Sequence, residues 1–233
     1  MNLTPLNLFR SVQKDRKQFA VIGLGRFGRA VCSALHDRGY EVLGIDKDAK
    51  RVDDILTDRL VSHSLQLDST DPIALQEAGI YEFDTVIIAI GSFLQESILT
   101  TLNVKTGGVS QVIAKASSSI HGTLLTKIGA DRVVYPEQEA GYTLVRSLTT
   151  PQILDRFDLD PEHSIVEIII PQQFHGKTLG ELKLRNRYGV NAIASIDRDK
   201  FEINLRPDSV LKQGKILVVI GANQDISKLP LHN

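Results

Sequence analysis

From Gln18 to about Val134 the chain alternates between short runs that are apolar throughout and longer stretches that are apolar on one side only. The runs are FAVIG, YEVLGID, RLVSHSLQLD, DTVIIAIG, VSQVIAKA and DRVVYP. Most are rich in Val and Ile, as strands of a parallel sheet buried on both faces should be. Between them lie stretches such as GRAVCSALHDRG, where Ala30, Val31, Ala34 and Leu35 form one apolar helical face. Gly39, Gly79, Gly107 and Gly129 each follow a periodic stretch, where glycine ends a helix cheaply. Six strands with five intervening helices predict an α/β fold, a Rossmann-like doubly wound parallel sheet over 18–136.

The pattern then changes. Residues 137–159 read as a connector, with helical spacing on both sides of Thr149-Thr150-Pro151 and a break at the proline. Residues 160–233 contain the strand-like runs IVEIIIP, VNAIASIDRD, FEINLRP and KILVVIG, with a short helix and turn in GKTLGELKLRNRYG. They predict a small α+β domain.

The first strand runs directly into G-x-G-x-x-G, and this spacing carries chemistry. Gly23 permits a tight turn, Gly25 lets backbone N–H groups approach a pyrophosphate, and Gly28 lets the following helix pack closely with its N-terminus on the anion. Asp46, at the end of the second strand, stands where an acid accepts from ribose hydroxyls; its charge disfavours a 2′-phosphate. At the end of the third strand, Asp68 is placed to accept from an adenine amino group. Ser69 and Thr70 lie beside it, or one of them caps the next helix. Ala89-Ile90-Gly91, after the fourth strand, forms the other wall of the cleft. Together these features predict an adenine nucleotide site.

Composition narrows the classes. A formal net charge of -1 argues against a nucleic-acid partner. The single cysteine, Cys32, excludes an internal disulfide and a cysteine metal cluster, and its place beside Val31 reads as a packed thiol. The opening MNLTPLNLFRSVQKDRK lacks the apolar core of a signal peptide, and no apolar run approaches the roughly 18 residues that span a bilayer. A membrane role is therefore expected to come through a partner. The histidines at 36, 63, 121, 163, 175 and 232 fall in no catalytic or metal-binding motif, so an enzyme is not expected.

FAVIGLGRFG with Asp46-Lys47, then VIIAIGSFLQESILTTLNVK, IAKA and KIGADRVVYPEQEAG, closely resemble the regulatory subunits of Ktr/Trk-type potassium uptake systems. Those subunits are built from RCK domains (TrkA-N and TrkA-C), and the layout here is most like the KtrA type. The resemblance implies a nucleotide-binding gating subunit, cytoplasmic and peripheral on the inner face of the membrane. Its homo-dimers would assemble to a homo-octamer beneath a membrane K+ channel subunit (KtrB/TrkH-like). ATP/ADP exchange, or in some members NAD(H), would reshape the ring.

Residue by residue, the resemblance adds Phe27, Lys47, Ile90, Gly91 and Lys115 to the cleft. It places Arg26 against the γ-phosphate held by a neighbouring subunit, and Glu137 near the phosphates where a divalent cation can bridge. On the residues alone, Lys115 reads equally as a solvated lysine, and Glu137 as an acid favoured at a helix N-terminus. Arg185 and Asn191, in a stretch that also presents Arg187, match the spacing of the relatives' contacts to cyclic di-AMP, or form a solvated turn. The competing reading of the whole chain is an NAD-dependent oxidoreductase or redox sensor of Rossmann type.

Overall fold

The computed structural model describes residues 17–198 and 200–231. His232 lies outside the described residues. The chain divides into two compact units between Glu139 and Ala140.

In the first unit, β1 (Phe19–Ile22), β2 (Val42–Asp46), β3 (His63–Gln66), β4 (Thr85–Ile88), β5 (Gln111–Lys115) and β6 (Arg132–Val134) form one sheet. Its order is β3-β2-β1-β4-β5-β6, and every pair is parallel. The connecting helices are α1 (Arg26–His36), α2 (Ala49–Thr57), α3 (Pro72–Glu77), α4 (Leu94–Thr106) and α5 (Ser119–Lys127). α6 (Pro136–Thr149) follows β6. Because side chains alternate along a strand, the sheet supplies two cores. Val21, Val42 and Ile87 pack with Cys32 of α1 and with Val52 and Ile55 of α2. Ala20, Ile22, Leu43, Ile45, Val86 and Ile88 pack on the other face with Leu75 of α3, Val104 of α4 and Leu125 of α5. The helices after β1 and β4 thus leave the sheet toward opposite faces, although β1 and β4 are neighbours. A crevice opens at the carboxyl ends of these two strands.

Two local expectations are corrected here. Gly107 ends α4 in ordinary right-handed backbone, and Gly108, with φ +89°, takes the left-handed position instead. A side chain at Gly107 would run into the Tyr81 ring, so the glycine there serves packing. The cap of α3 is neither Ser69 nor Thr70 but Asp71, whose carboxylate accepts from the Ile73 N–H at 2.9 Å.

In the second unit, β7 (Ile153–Asp158), β8 (His163–Ile169), β9 (Asn191–Asp197), β10 (Lys200–Ile203) and β11 (Ile216–Ala222) make a sheet of order β10-β9-β11-β8-β7. All pairs are antiparallel. The short helices α7 (Leu179–Leu182), α8 (Leu184–Tyr188) and α9 (Asn223–Ile226) help cover one face, where Val166, Ile168, Leu217 and Val219 meet Leu182, Leu184 and Ile226. The other face is left more open, which explains the alternating burial along β8.

The stretch after Pro151 departs from expectation. ILDRFD has helical apolar spacing, yet it forms β7 and pairs with β8. A register shift between Ile153 and Asp155 absorbs the irregular spacing. Ser164 donates to Asp158 at 2.7 Å and Arg156 pairs with it at 2.6 Å, which pins the strand's end. Pairing with a long neighbouring strand supplies backbone partners that an isolated helical turn could not.

Candidate functional site

The three fingerprint glycines are not equivalent. Gly23 has φ +99°, and a Cβ there would press on the backbone of Ala89 and Ile90 at 3.0 and 3.1 Å. A Cβ on Gly28 would overlap the Gly23 carbonyl oxygen. The fold itself demands both. Gly25 is different. It caps α1 with no side-chain hydrogen bond, its φ is −70°, and nothing lies within 4 Å of a Cβ built on it. The chain could accept a side chain at Gly25, so the space above it, at the N-terminus of α1, fits an incoming anion.

Asp46 is buried at the end of β2. Its Oδ2 accepts from the Leu24 N–H at 2.7 Å and from Arg51 at 3.3 Å, and its Oδ1 accepts from the Asp48 N–H at 3.0 Å. The acid therefore organises the glycine-rich loop before any ligand arrives. Arg51, half-exposed on α2, is the partner a ribose hydroxyl can displace. Sequence reasoning missed Arg51; its place five residues after the acid, in the first turn of α2, was the available signal.

On the other side of the crevice the structure brings together Arg26, Phe27, Gly91, Lys115 and Glu137. The Lys115 ammonium pairs with Glu137 Oε1 at 2.6 Å and stands 5.8 Å from the centre of the Phe27 ring. Its chain lies over Gly91, where a Cβ would be 2.9 Å from Nζ. The Lys115 side chain is only 12% exposed, so it is packed and not a freely solvated lysine. The hydrogen bond from Lys115 holds the Glu137 carboxyl below the usual carboxylate range, and Arg26 is close enough to lower it further. Arg26 itself is exposed, at the first position of α1.

Asp68 is exposed, and hydrogen bonds from the Thr70 hydroxyl (2.7 Å) and N–H (3.0 Å) hold its carboxyl below the ordinary value. Ser69 is buried, with its hydroxyl 2.8 Å from that of Thr100 on α4. It ties the wall together and does not present a free hydroxyl. Ile90 packs partly buried behind Gly23. Lys47 reaches across to Glu96 in the first turn of α4 at 2.5 Å, with its ammonium 4.5 Å from the centre of the Phe93 ring. Glu96 and Phe93 were not expected; they lie 49 and 46 residues beyond Lys47, and no local pattern links them.

In the second unit Arg185 and Arg187 lie on the short helix α8 and Asn191 opens β9; all three are exposed. Arg187 stacks 5.5 Å from the centre of the Tyr188 ring. Cys32 is buried, and burial pushes its thiol up to about 12. It is inert packing. Among the described residues no group of three His, Cys, Asp or Glu side chains could hold a metal, and no helix is long and apolar enough to cross a membrane.

A doubly wound sheet, open space above Gly25 at the N-terminus of α1 and a loop-organising acid define a Rossmann-type fold with a small antiparallel companion unit. The TrkA-N domain family matches residues 19–136 and the TrkA-C domain family residues 164–229. The chain is 42% identical to Ktr system potassium uptake protein C of Bacillus subtilis, covering 91% of this chain and 96% of that protein. It is 35% identical to Ktr system potassium uptake protein A of the same organism, covering 91% and 95%. Among solved structures, the GsuK RCK domain superposes with a TM-score of 0.64 at 20% identity, over 94% of this chain and 48% of that one. The GsuK channel bound to NAD gives 0.63 at 19%, over 92% and 39%. The chain belongs to the Ktr/Trk family of potassium-uptake regulatory proteins, built from an RCK-type TrkA-N domain and a TrkA-C domain.

Proposed function

We propose that this chain is the nucleotide-sensing gating subunit of a Ktr-type potassium uptake system, working on the inner face of the membrane through a K+ channel subunit. The observation that carries the reading is the opening above Gly25: space the fold does not need, at a helix N-terminus, with an acid on one side and cations on the other. Adenosine lies toward Asp46, with its ribose displacing Arg51. The phosphates lie on the N–H groups of α1 and run toward the Lys115–Glu137 pair.

A regulator needs two ligands that prefer two conformations to different degrees. ATP and ADP differ in one phosphate, so the sensing group must be a cation at the far end. Arg26, exposed at the first position of α1, supplies that cation to a phosphate held by a neighbouring subunit, since a guanidinium forks onto phosphate oxygens. A divalent cation at Glu137 would draw further ligands from the phosphates and would have to displace the Lys115 ammonium.

Assembly from dimers to an octameric ring fits the exposed apolar side chains on α6 (Leu144, Val145, Leu148), on α4 (Leu99, Leu102) and on α5 (Ile120, Leu124). Scattered apolar residues are ordinary on a surface, but those on α6 recur at helical spacing. Cyclic di-AMP is a candidate second ligand at Arg185 and Asn191.

Calorimetric titration of ATP, ADP and NADH into the purified chain tests the reading, paired with K+ flux through the assembled system. Saturable ATP and ADP binding with nucleotide-dependent flux is expected. Steady turnover of NADH with a small substrate would overturn it in favour of an oxidoreductase.

A further inference from the structure

We propose that Lys47, Glu96 and Phe93 form a latch across the mouth of the nucleotide crevice, which must open for adenosine to enter and so lowers this chain's nucleotide affinity through the association rate. The proposal rests on the nucleotide reading above.

The geometry comes from the sheet order. β2 and β4 both pair with β1, Ile22 standing between Ile45 and Ile88. Their ends are therefore two strand spacings apart, about 10 Å. Lys47 follows β2 directly, and Glu96 lies in the first turn of α4, which follows β4. Their 2.5 Å ion pair therefore links the end of β2 to the start of α4, with β1 standing between the two strands. Phe93, 53% exposed and without a core role, holds the ammonium over its ring, 4.5 Å from the ring centre. The charge of Lys47 is also felt at Asp68, on the adenosine side. Ribose on Asp46 and the closed latch claim the same space.

The latch moves as a side chain, not as a loop. The Lys47 carbonyl accepts from Gln66 at 3.1 Å, and the next N–H donates to Asp46 at 3.0 Å. Asp48 then caps α2. With the backbone held on both sides, only the lysine stem is free to swing. The pair is also weak enough to open, since Lys47 and Glu96 remain 49% and 29% exposed. Ion pairs and cation–π contacts of this exposure favour the closed form by roughly three- to tenfold, and a ligand that needs the open form binds weaker by that factor.

The test uses the full chain, with etheno-ADP, whose ribose is unmodified, followed by stopped-flow fluorescence, and ADP by calorimetry. Lys47→Met and Glu96→Gln should each tighten binding by about three- to tenfold. The gain should lie in faster association with unchanged dissociation, and the double variant should gain no more than either single one. Raised KCl should narrow the gap between wild type and variants. Long-range attraction of the anion alone would move the two variants in opposite directions, because one removes a positive and the other a negative charge. Opposite shifts, unchanged rates, or weaker binding in both variants would overturn the latch. A wild-type chain that binds no adenine nucleotide would overturn the nucleotide reading itself, and the latch with it.

Discussion

Replacing Asp46 by alanine should damage two properties that can be measured separately. Its carboxylate receives the Leu24 N–H at 2.7 Å and the Asp48 N–H at 3.0 Å, and Leu24 is buried. Each hydrogen bond to a charged acceptor is worth about 1.5–3 kcal/mol, and a buried donor left without a partner costs a similar amount. Removing the buried carboxylate also removes its own desolvation cost, which offsets part of the loss. We expect a net destabilisation of about 2 kcal/mol, or roughly 4–8 °C in the melting temperature of a protein of this size. ATP, ADP and NADH share the ribose, so all three should lose roughly ten- to a hundredfold in affinity. Ligand-free urea unfolding reads the first effect. Calorimetry well below the melting temperature reads the second. Asp46→Asn should be intermediate in stability, because its amide keeps one acceptor but turns a donor toward one of the two N–H groups. Lost stability with unchanged affinities would make Asp46 a purely structural acid. Lost affinity with unchanged stability would mean that the loop does not depend on these hydrogen bonds.

Gly25→Ala should leave unfolding within about 0.5 kcal/mol of wild type while lowering nucleotide affinity at least tenfold, whereas Gly28→Ala should fail to fold stably; equal effects would refute the distinction drawn from their surroundings. Arg26→Ala should weaken ATP at least tenfold and leave ADP nearly unchanged, with K+ flux losing its ATP response; equal losses for both would make Arg26 a general phosphate contact. His121 is buried, its Nδ1 accepts from the Ser117 N–H at 3.2 Å, and its Nε2 has no partner among the described residues. Burial holds its pKa below the ordinary 6.5, so the unfolded chain binds the proton first, and stability should fall as pH drops below that value and level off once the folded state is also protonated. His121→Leu should flatten unfolding curves between pH 6.5 and the folded pKa; an unchanged slope would assign it to other groups. A thermal shift of the full chain with cyclic di-AMP, lost in Arg185→Ala, would place that ligand in the second unit. The full chain is required, because cutting at residue 160 would remove the edge strand β7.

The first unit was legible because its central strands β1, β2 and β4 are buried on both faces. Their Val- and Ile-rich runs differ sharply from the one-sided helices, and the glycine loop and Asp46 sit at the joins between them. The second unit was less so. ILDRFD carries helical spacing, and only the proximity of β8 made it a strand, since backbone pairing outweighs a weak local preference.

In the site, the sequence alone determined which residues reach the carboxyl ends of the strands, since strand, turn and helix follow one another within a few positions. That was enough for Gly23, Gly25, Gly28 and Asp46. Tertiary structure decided what those residues are free to do. It showed that Gly25 is not needed by the fold, that Ser69 is tied to Thr100, and that Lys115 is packed against Glu137. It alone brought Lys47 to Glu96, because side chains so far apart in the chain meet only when β2 and β4 take their places on either side of β1. Local pattern encodes the alternation of elements, whereas contacts across a sheet depend on strand order, and strand order is fixed by burying both faces at once.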